Sequence, residues 1–154
     1  AGCEHRVGGL EKNHDGVISS DPMNHDLMVK ERMEKVQRVA NYIPELKVDG
    51  AESGKLLVVG WGGTYGHLLS AVQEVRAEGI DVSFAHFDYI MPLPKNTADV
   101  FKKFDKILVC ELNSGQFVNY LRALMPQFKY EQFNKVQGQP FLVQEITTAI
   151  KENF

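Results

Sequence analysis

The sequence predicts an α/β fold, a three-layer α/β/α sandwich around a mainly parallel sheet. Three observations lead there. From Lys55 onward, apolar runs of strand length alternate with amphipathic helical segments. The run Leu56-Leu57-Val58-Val59 is continuous, as in a strand buried on both faces. Glycine or proline punctuates most junctions, at Pro44, Gly79, Pro92, Pro126 and Gly138.

The elements follow in order. Residues 1–20 are rich in Gly, His, Asn, Asp and Ser and read as a loop or arm, mobile or packed on another copy. Asp21 caps a helix whose first position is Pro22 and which runs to about Tyr42. Val29, Met33, Val36, Ala40 and Ile43 form one apolar stripe along it, and Pro44 ends it. Such a stripe needs a surface to lie on, either this domain or a neighbour. The linker arm and helix thus span 1–44, and the α/β domain spans 45–154.

Leu46 to Val48 suggests an edge strand. After the Leu56 strand, Thr64 to Glu78 is a helix with Leu68, Leu69, Val72 and Val75 inward, closed by Gly79. Asp81 to Phe87 is the next strand, and Thr97 to Phe104 a short helix. Lys106 to Glu111 is a strand, and Phe117 to Leu124 a helix stopped before Pro126. Phe128, Tyr130 and Gln132 mark the last strand, and Gly138-Gln139-Pro140 starts the last helix. Parallel strands with right-handed crossovers result. Ligands or partners then meet the loops at the carboxyl ends of the strands: Gly60 to Tyr65, Asp88 to Lys95, Leu112 to Gln116 and Asn134 to Gln139.

Composition narrows the function classes. Apolar residues make up 44% of the 154, enough for a core, and the net charge is −3. No basic stripe points to nucleic acid. No apolar run approaches the roughly 20 residues of a membrane span. There is no signal-peptide pattern, and two cysteines make no disulfide framework, so a reducing cytoplasm is expected. The chain opens on Ala1-Gly2-Cys3 without Met, as a piece of something longer, a processed product or a tagged one would.

Few residues offer chemistry. Gly60-Trp61-Gly62-Gly63-Thr64-Tyr65-Gly66 follows a strand and opens a helix, which sketches a nucleotide fold with Gly62, Gly63 and Thr64 at the ligand. The spacing fails, because the third glycine of G-x-G-x-x-G falls on Tyr65. Tight turning and close helix–sheet contact explain these glycines as well. Cys3-x-His5 and His14-Asp15 have metal-ligand residue types but no recognised metal spacing, so solvated loop side chains are favoured. His86 reads as a satisfied, half-buried histidine and Cys110 as an inert buried thiol. Glu111 ends an apolar strand at the carboxyl edge, beside the polar loop Asn113, Gly115 and Gln116.

Taken together, the loops say more. They read Val58 to Gly66, then Met91-Pro92-Leu93-Pro94-Lys95-Asn96, then Glu111-Leu112-Asn113-Ser114-Gly115-Gln116, then Asn134-Lys135-Val136-Gln137-Gly138-Gln139-Pro140-Phe141. In that order they resemble the end of the α subunit of 2-oxoacid:ferredoxin oxidoreductases, the 2-oxoglutarate type above all. The start agrees, with Glu4-His5-Arg6-Val7-Gly8-Gly9-Leu10-Glu11 and Ser20-Asp21-Pro22-Met23-Asn24-His25.

The resemblance implies a transketolase C-terminal-like fold. It also implies a parent reaction: oxidative decarboxylation of a 2-oxoacid with coenzyme A, passing electrons to ferredoxin. Thiamine diphosphate, Mg and the iron–sulfur cluster would be held elsewhere in the holoenzyme, and no cofactor or catalytic residue is expected in this domain. Its partners would be the N-terminal domains of the same α subunit, the β subunit and, through the holoenzyme, ferredoxin. No nucleic acid or membrane is expected.

Residues expected at loops or interfaces are His14, Asp15, Glu111, Asn113, Gln116, Asn134, Lys135 and Gln137. One departure concerns the leading loop. Relatives often carry His-Asp directly after Gly-Leu-Glu, whereas here Lys12-Asn13 intervene before His14-Asp15. A gating role for those two is thereby put in question. The rival readings are a free-standing nucleotide- or flavin-binding domain and a plain interaction module.

Overall fold

A computed structural model describes Gly2 and residues 8–154. Cys3 and His5 lie outside the described residues. The chain divides into two compact units, Ala1–Tyr42 and Ile43–Phe154.

In the first unit, residues 8–20 are not a free arm. Lys12 pairs antiparallel with Ile18, and the Asn13 Oδ1 accepts the Asp15 and Val17 N–H groups, both at 3.0 Å. The Glu11 carboxylate takes Arg32 Nη2 at 3.0 Å and His25 Nδ1 at 3.0 Å, tying this turn to helix α1, Pro22–Arg38. Asp21 caps α1 as expected, accepting from the Met23 N–H at 3.1 Å. The α-helix stops at Arg38, short of Tyr42, and one 3-10 turn, Val39–Asn41, completes it. Pro44 biases its predecessor away from helical backbone, so the last turn tightens instead. No residue of α1 is buried, and Met33 in its apolar stripe is 64% exposed.

The second unit is built on five strands. These are β1 (Val48–Asp49), β2 (Gly54–Trp61), β3 (Ser83–Phe87), β4 (Phe104–Glu111) and β5 (Tyr130–Asn134). Their order is β1-β3-β2-β4-β5, parallel except for the edge strand β1. The helices are α2 (Tyr65–Ala77), α3 (Thr97–Phe101), α4 (Gln116–Leu124) and α5 (Val143–Asn153). Alternation along each strand sends side chains to two cores. Leu57, Val59, Ile107 and Val109 pack with Phe101 of α3 and with Phe117, Val118 and Leu121 of α4. Leu56, Val58, Phe84 and Leu108 pack with Leu68, Val72 and Val75 of α2 and with Ile146 and Ile150 of α5. This is the three-layer α/β/α sandwich, with continuous apolar strands buried on both faces.

Several boundaries differ from expectation for local reasons. Leu46 is not in the edge strand, because the Asn96 amide captures it: Leu46 N–H donates to Asn96 Oδ1 at 2.8 Å, and Asn96 Nδ2 donates to Leu46 O at 2.9 Å. Helix α3 ends at Phe101, since the Lys103 carbonyl accepts the Gly54 N–H and the chain joins the sheet at Phe104. Helix α5 begins at Val143, not near Gly138. Gly138 takes a left-handed turn (φ 65°), and Glu145 caps the helix by accepting the Leu142 N–H at 2.8 Å.

Candidate functional site

In an open parallel sheet, ligands favour the crevice where the strand order reverses. Here the chain passes from β2 to β3 on one side, then back to β4 on the other, so the reversal lies between β2 and β4. The β2–β4 register pairs Leu57 with Ile107 and Val59 with Val109. The next outward-facing level on that face brings Trp61 beside Glu111. The Trp61 Nε1–H donates to Glu111 Oε2 at 3.3 Å. Glu111 is fully buried, and its two oxygens also accept the Phe117 and Val118 N–H groups, each at 2.8 Å. A carboxylate therefore sits on the first turn of α4, where free N–H groups and the helix dipole favour negative charge. The place where this fold often takes an anionic ligand is occupied by the protein's own side chain.

The surrounding loops reinforce that arrangement. Asn113 Oδ1 accepts the Gly115 and Gln116 N–H groups at 2.8 and 3.0 Å, shaping the turn into α4. Gly115 has φ 91°, which favours glycine, and a Cβ there would lie 3.2 Å from Asn134 Nδ2. Lys135 is buried and donates to both Glu145 oxygens, at 2.9 and 2.8 Å, and to Pro140 O at 3.0 Å. Those contacts hold Glu145 below the usual carboxylate range, the Lys135 hydrogen bond most of all. The Lys135 backbone N–H donates to Glu111 O at 2.9 Å, linking the ends of β4 and β5. Gln116 and Gln137 are exposed, and Asn134 is half-buried, its Oδ1 without a partner among the described residues.

The expected site residues thus divide. Glu111, Asn113, Gln116, Asn134 and Lys135 gather at the carboxyl ends of β4 and β5. Glu111 and Lys135 have little or no surface to offer a partner, and their polar atoms are consumed internally. His14 and Asp15 belong to the first unit, where His14 Nε2 stands 3.1 Å from Glu31 Oε1 and both residues are exposed.

The glycine turn resolves in favour of packing at Gly60. A Cβ on Gly60 would overlap Leu68 Cδ1 and stand 2.6 Å from Thr64 Oγ1, so this glycine lets α2 close on the sheet. Gly62–Thr64 form a single 3-10 turn, and Thr64 Oγ1 is engaged with the backbone of Trp61. Cys110 is buried, and burial, with Glu111 next to it, pushes its thiol well above the ordinary range.

His86 corrects one expectation. It is half-buried, but its Nδ1 has no partner among the described residues. It lines an open cleft of about 670 Å³ with Lys47, Asp49, Tyr65 and Asp88. On the other side of β2, Trp61, Ile90, Met91, Gln116, Phe117 and Tyr120 line a smaller apolar pocket of about 190 Å³. Among the described residues no cluster of three His, Cys, Asp or Glu side chains is placed to hold a metal ion. No described helix is long and apolar enough to cross a membrane.

Sequence reasoning singled out Glu111 but not its partner. In the sequence Trp61 is only one residue of the glycine turn, with nothing local to mark it as a partner. The constant register offset between β2 and β4 would have revealed the pair, but strand pairing is not written in either strand alone.

Comparison with known proteins bears on what this arrangement belongs to. No protein-family model matches the chain. It is 39% identical over 156 aligned residues to the 2-oxoglutarate oxidoreductase subunit KorA of Mycobacterium tuberculosis, covering 97% of this chain and 23% of the relative. It is 27% identical over 149 residues to the α subunit of 2-oxoacid:ferredoxin oxidoreductase 1 of Aeropyrum pernix, covering 92% of this chain and again 23% of the relative.

Among solved structures, a 2-oxoglutarate:ferredoxin oxidoreductase from Magnetococcus marinus, with 2-oxoglutarate, coenzyme A and succinyl-CoA bound, superposes with a TM-score of 0.86. The two are 29% identical, over 97% of this chain and 27% of that one. A split-gene transketolase shares the fold, with a TM-score of 0.54 at 12% identity over 70% of this chain and 41% of that one. The chain therefore spans about a quarter of the length of these oxidoreductase relatives. Along nearly its whole length it is similar to a segment of about that size in the α subunits of 2-oxoacid:ferredoxin oxidoreductases.

Proposed function

We propose that this chain is the C-terminal assembly domain of the α subunit of a thiamine-diphosphate-dependent 2-oxoacid:ferredoxin oxidoreductase, with 2-oxoglutarate as the 2-oxoacid. The holoenzyme would decarboxylate the 2-oxoacid oxidatively, form the acyl-CoA and reduce ferredoxin. Thiamine diphosphate, Mg, coenzyme A and the iron–sulfur cluster would be bound by the rest of the assembly. Partners of this domain would be the N-terminal domains of the same subunit and the β subunit. The chain's own residues would carry no step of the reaction.

The similarity to KorA along nearly the whole chain carries this reading. The geometry agrees with it. Two of the polar groups at the sheet's carboxyl edge are spent on holding loops: Glu111 on α4 and Trp61, Lys135 on Glu145 and Pro140. A general acid, base or nucleophile needs a side chain free to meet a substrate.

The test is reconstitution. The full α subunit with its β subunit should reduce ferredoxin with 2-oxoglutarate and coenzyme A. An α subunit lacking these 154 residues should not, and neither should the chain alone. Turnover by the chain alone would overturn the reading, as would full activity in its absence. His14→Ala with Asp15→Ala in the whole enzyme tests the leading loop: a raised KM for 2-oxoglutarate would give it a gating role.

A further inference from the structure

We infer that Asp15-Gly16 is a site of spontaneous modification, at which the aspartate isomerises to isoaspartate, and that Arg76 protects the chain's other Asp-Gly pair, Asp49-Gly50, from the same change. The inference is independent of the functional reading above.

The two pairs share one chemistry. The glycine nitrogen attacks the aspartate Cγ, a C–N bond forms, and the carboxyl OH leaves as water with the amide proton. The product is a succinimide ring. Water then adds at the main-chain carbonyl and breaks the original C–N bond, so the chain runs through the side-chain carbon. One water leaves, one enters, and no electron is transferred. Glycine favours the attack because no Cβ shields its nitrogen. With the dipeptide the same in both places, the surrounding structure sets the rate.

At Asp15-Gly16 little stands in the way. Both residues are exposed and lie in a turn. The Asp15 carboxylate makes no hydrogen bond or ion pair with the described residues. The attacking nitrogen is tied by one bond, from the Gly16 N–H to Asn13 O at 3.0 Å. Bonds in exposed turns open at the low end of a protein's local stability.

At Asp49-Gly50 one guanidinium holds both ends of the aspartate. Arg76 Nη1 donates to Asp49 Oδ1 and Nη2 to Asp49 O, while Nε is anchored on Val82 O at 2.8 Å. A planar fork that meets its acceptors in this way loses little freedom in holding them. The same guanidinium packs over the glycine, since a Cβ on Gly50 would overlap Arg76 Nη2. Asp49 is also paired with Phe84 of β3, and Ser83 Oγ holds the chain just beyond, donating to Ala51 O at 2.6 Å. The carboxylate must leave Arg76 before the ring can close.

The change would not be silent at Asp15. Isoaspartate adds one methylene to the main chain. Asn13 Oδ1 accepts both the Asp15 and Val17 N–H groups, the Asn13 N–H donates to Val17 O at 2.9 Å, and Lys12 pairs with Ile18. A longer link between residues 15 and 16 breaks that register.

The experiment uses the full-length protein that contains this chain, with the subunits it purifies with. It is incubated at neutral pH in heavy-oxygen water, native and in urea. Peptide mapping with endoproteinase Asp-N, which cuts at aspartate and not at isoaspartate, locates the isomer, and one solvent oxygen marks each new event. Native protein should accumulate several-fold more isoaspartate at Asp15 than at Asp49, and in urea the two sites should converge. No isomer at Asp15 in the native protein would overturn the inference, as would equal accumulation at both sites or the same ratio in urea. Arg76→Ala should raise the rate at Asp49 several-fold and leave Asp15 unchanged. An unchanged Asp49 in the folded variant removes the protective role of Arg76. The native-to-urea comparison in the parent protein decides the matter even where that variant does not fold.

Discussion

The two flanks of β2 at its carboxyl end solve the same problem in opposite ways. On the α4 side, a carboxylate is fully buried and every donor around it is used: Trp61, Phe117 and Val118. On the β1 side, an imidazole is only half-buried, one ring nitrogen has no partner among the described residues, and the cleft beside it is open. The difference teaches where structure has been invested. An ionised group is kept in the interior only where its whole hydrogen-bonding capacity is met. A neutral imidazole near solvent tolerates an unpaired nitrogen at little cost. The α4 flank is thus the rigid one, and the β1 flank is a region where substitutions should be nearly free.

The sharpest way to break that contrast is Glu111→Gln. The amide would present an NH₂ group to N–H donors and leave at least one of them unsatisfied inside the core. The expected loss is about 3 kcal/mol in equilibrium urea unfolding. Trp61 is the sole tryptophan, so its emission reports the same site without a label. A blue- or red-shift in the folded variant would show the indole released. A loss under about 1 kcal/mol would mean that the buried carboxylate is no keystone.

Gly115→Ala tests the backbone of the same flank. At φ 91° an added Cβ is strained, and it would crowd Asn134 Nδ2 and Val118 Cγ1, each 3.2 Å away. About 1–2 kcal/mol should be lost, with the Trp61 emission unchanged, because the Glu111 contacts remain. Trp61→Phe comes next, at about 1 kcal/mol. It keeps most of the apolar packing but removes one of three donors from Glu111.

The fold was legible in the sequence because its signals are local. The run from Leu56 to Val59 and the inward stripe Leu68, Val72 and Val75 name a buried strand and its covering helix within one stretch of chain. The start of α1 was legible for the same reason, since Asp21 and Pro22 act on the turn they begin. Boundaries set by distant partners were not. Leu46 was assigned to a strand until an amide 50 residues away claimed its backbone. The start of α5 depends on Glu145 reaching back to Leu142, and Lys135 reaching across to Glu145. The site was half legible. A glutamate closing an apolar strand stood out, but its burial and its tie to Trp61 follow from β2–β4 pairing. His86 was read correctly as half-buried, and its missing partner could be seen only once α2 and β1 were in place.

The smallest expected effect lies at His86, and it depends on pH. Burial holds the imidazole below its ordinary value of 6.5, while Asp88 and a hydrogen bond to the Gly62 backbone pull it part of the way back. The unfolded chain therefore takes up the proton first as the pH falls. The stability that the neutral ring contributes is complete above pH 6.5 and is lost as the pH drops from there through the folded-state value. His86→Phe removes this titration and keeps an aromatic ring beside Tyr65 and Phe84. At neutral pH the variant should differ from the parent by no more than about 0.5 kcal/mol, the range of a substitution without a named structural penalty. Between about pH 7 and about pH 5 it should lose less stability than the parent. The two proteins differ at this position alone, so the difference between the two curves isolates this ring. Parallel curves would mean that His86 carries the same proton affinity folded and unfolded. A loss at neutral pH as large as that of Glu111→Gln would erase the contrast between the two flanks.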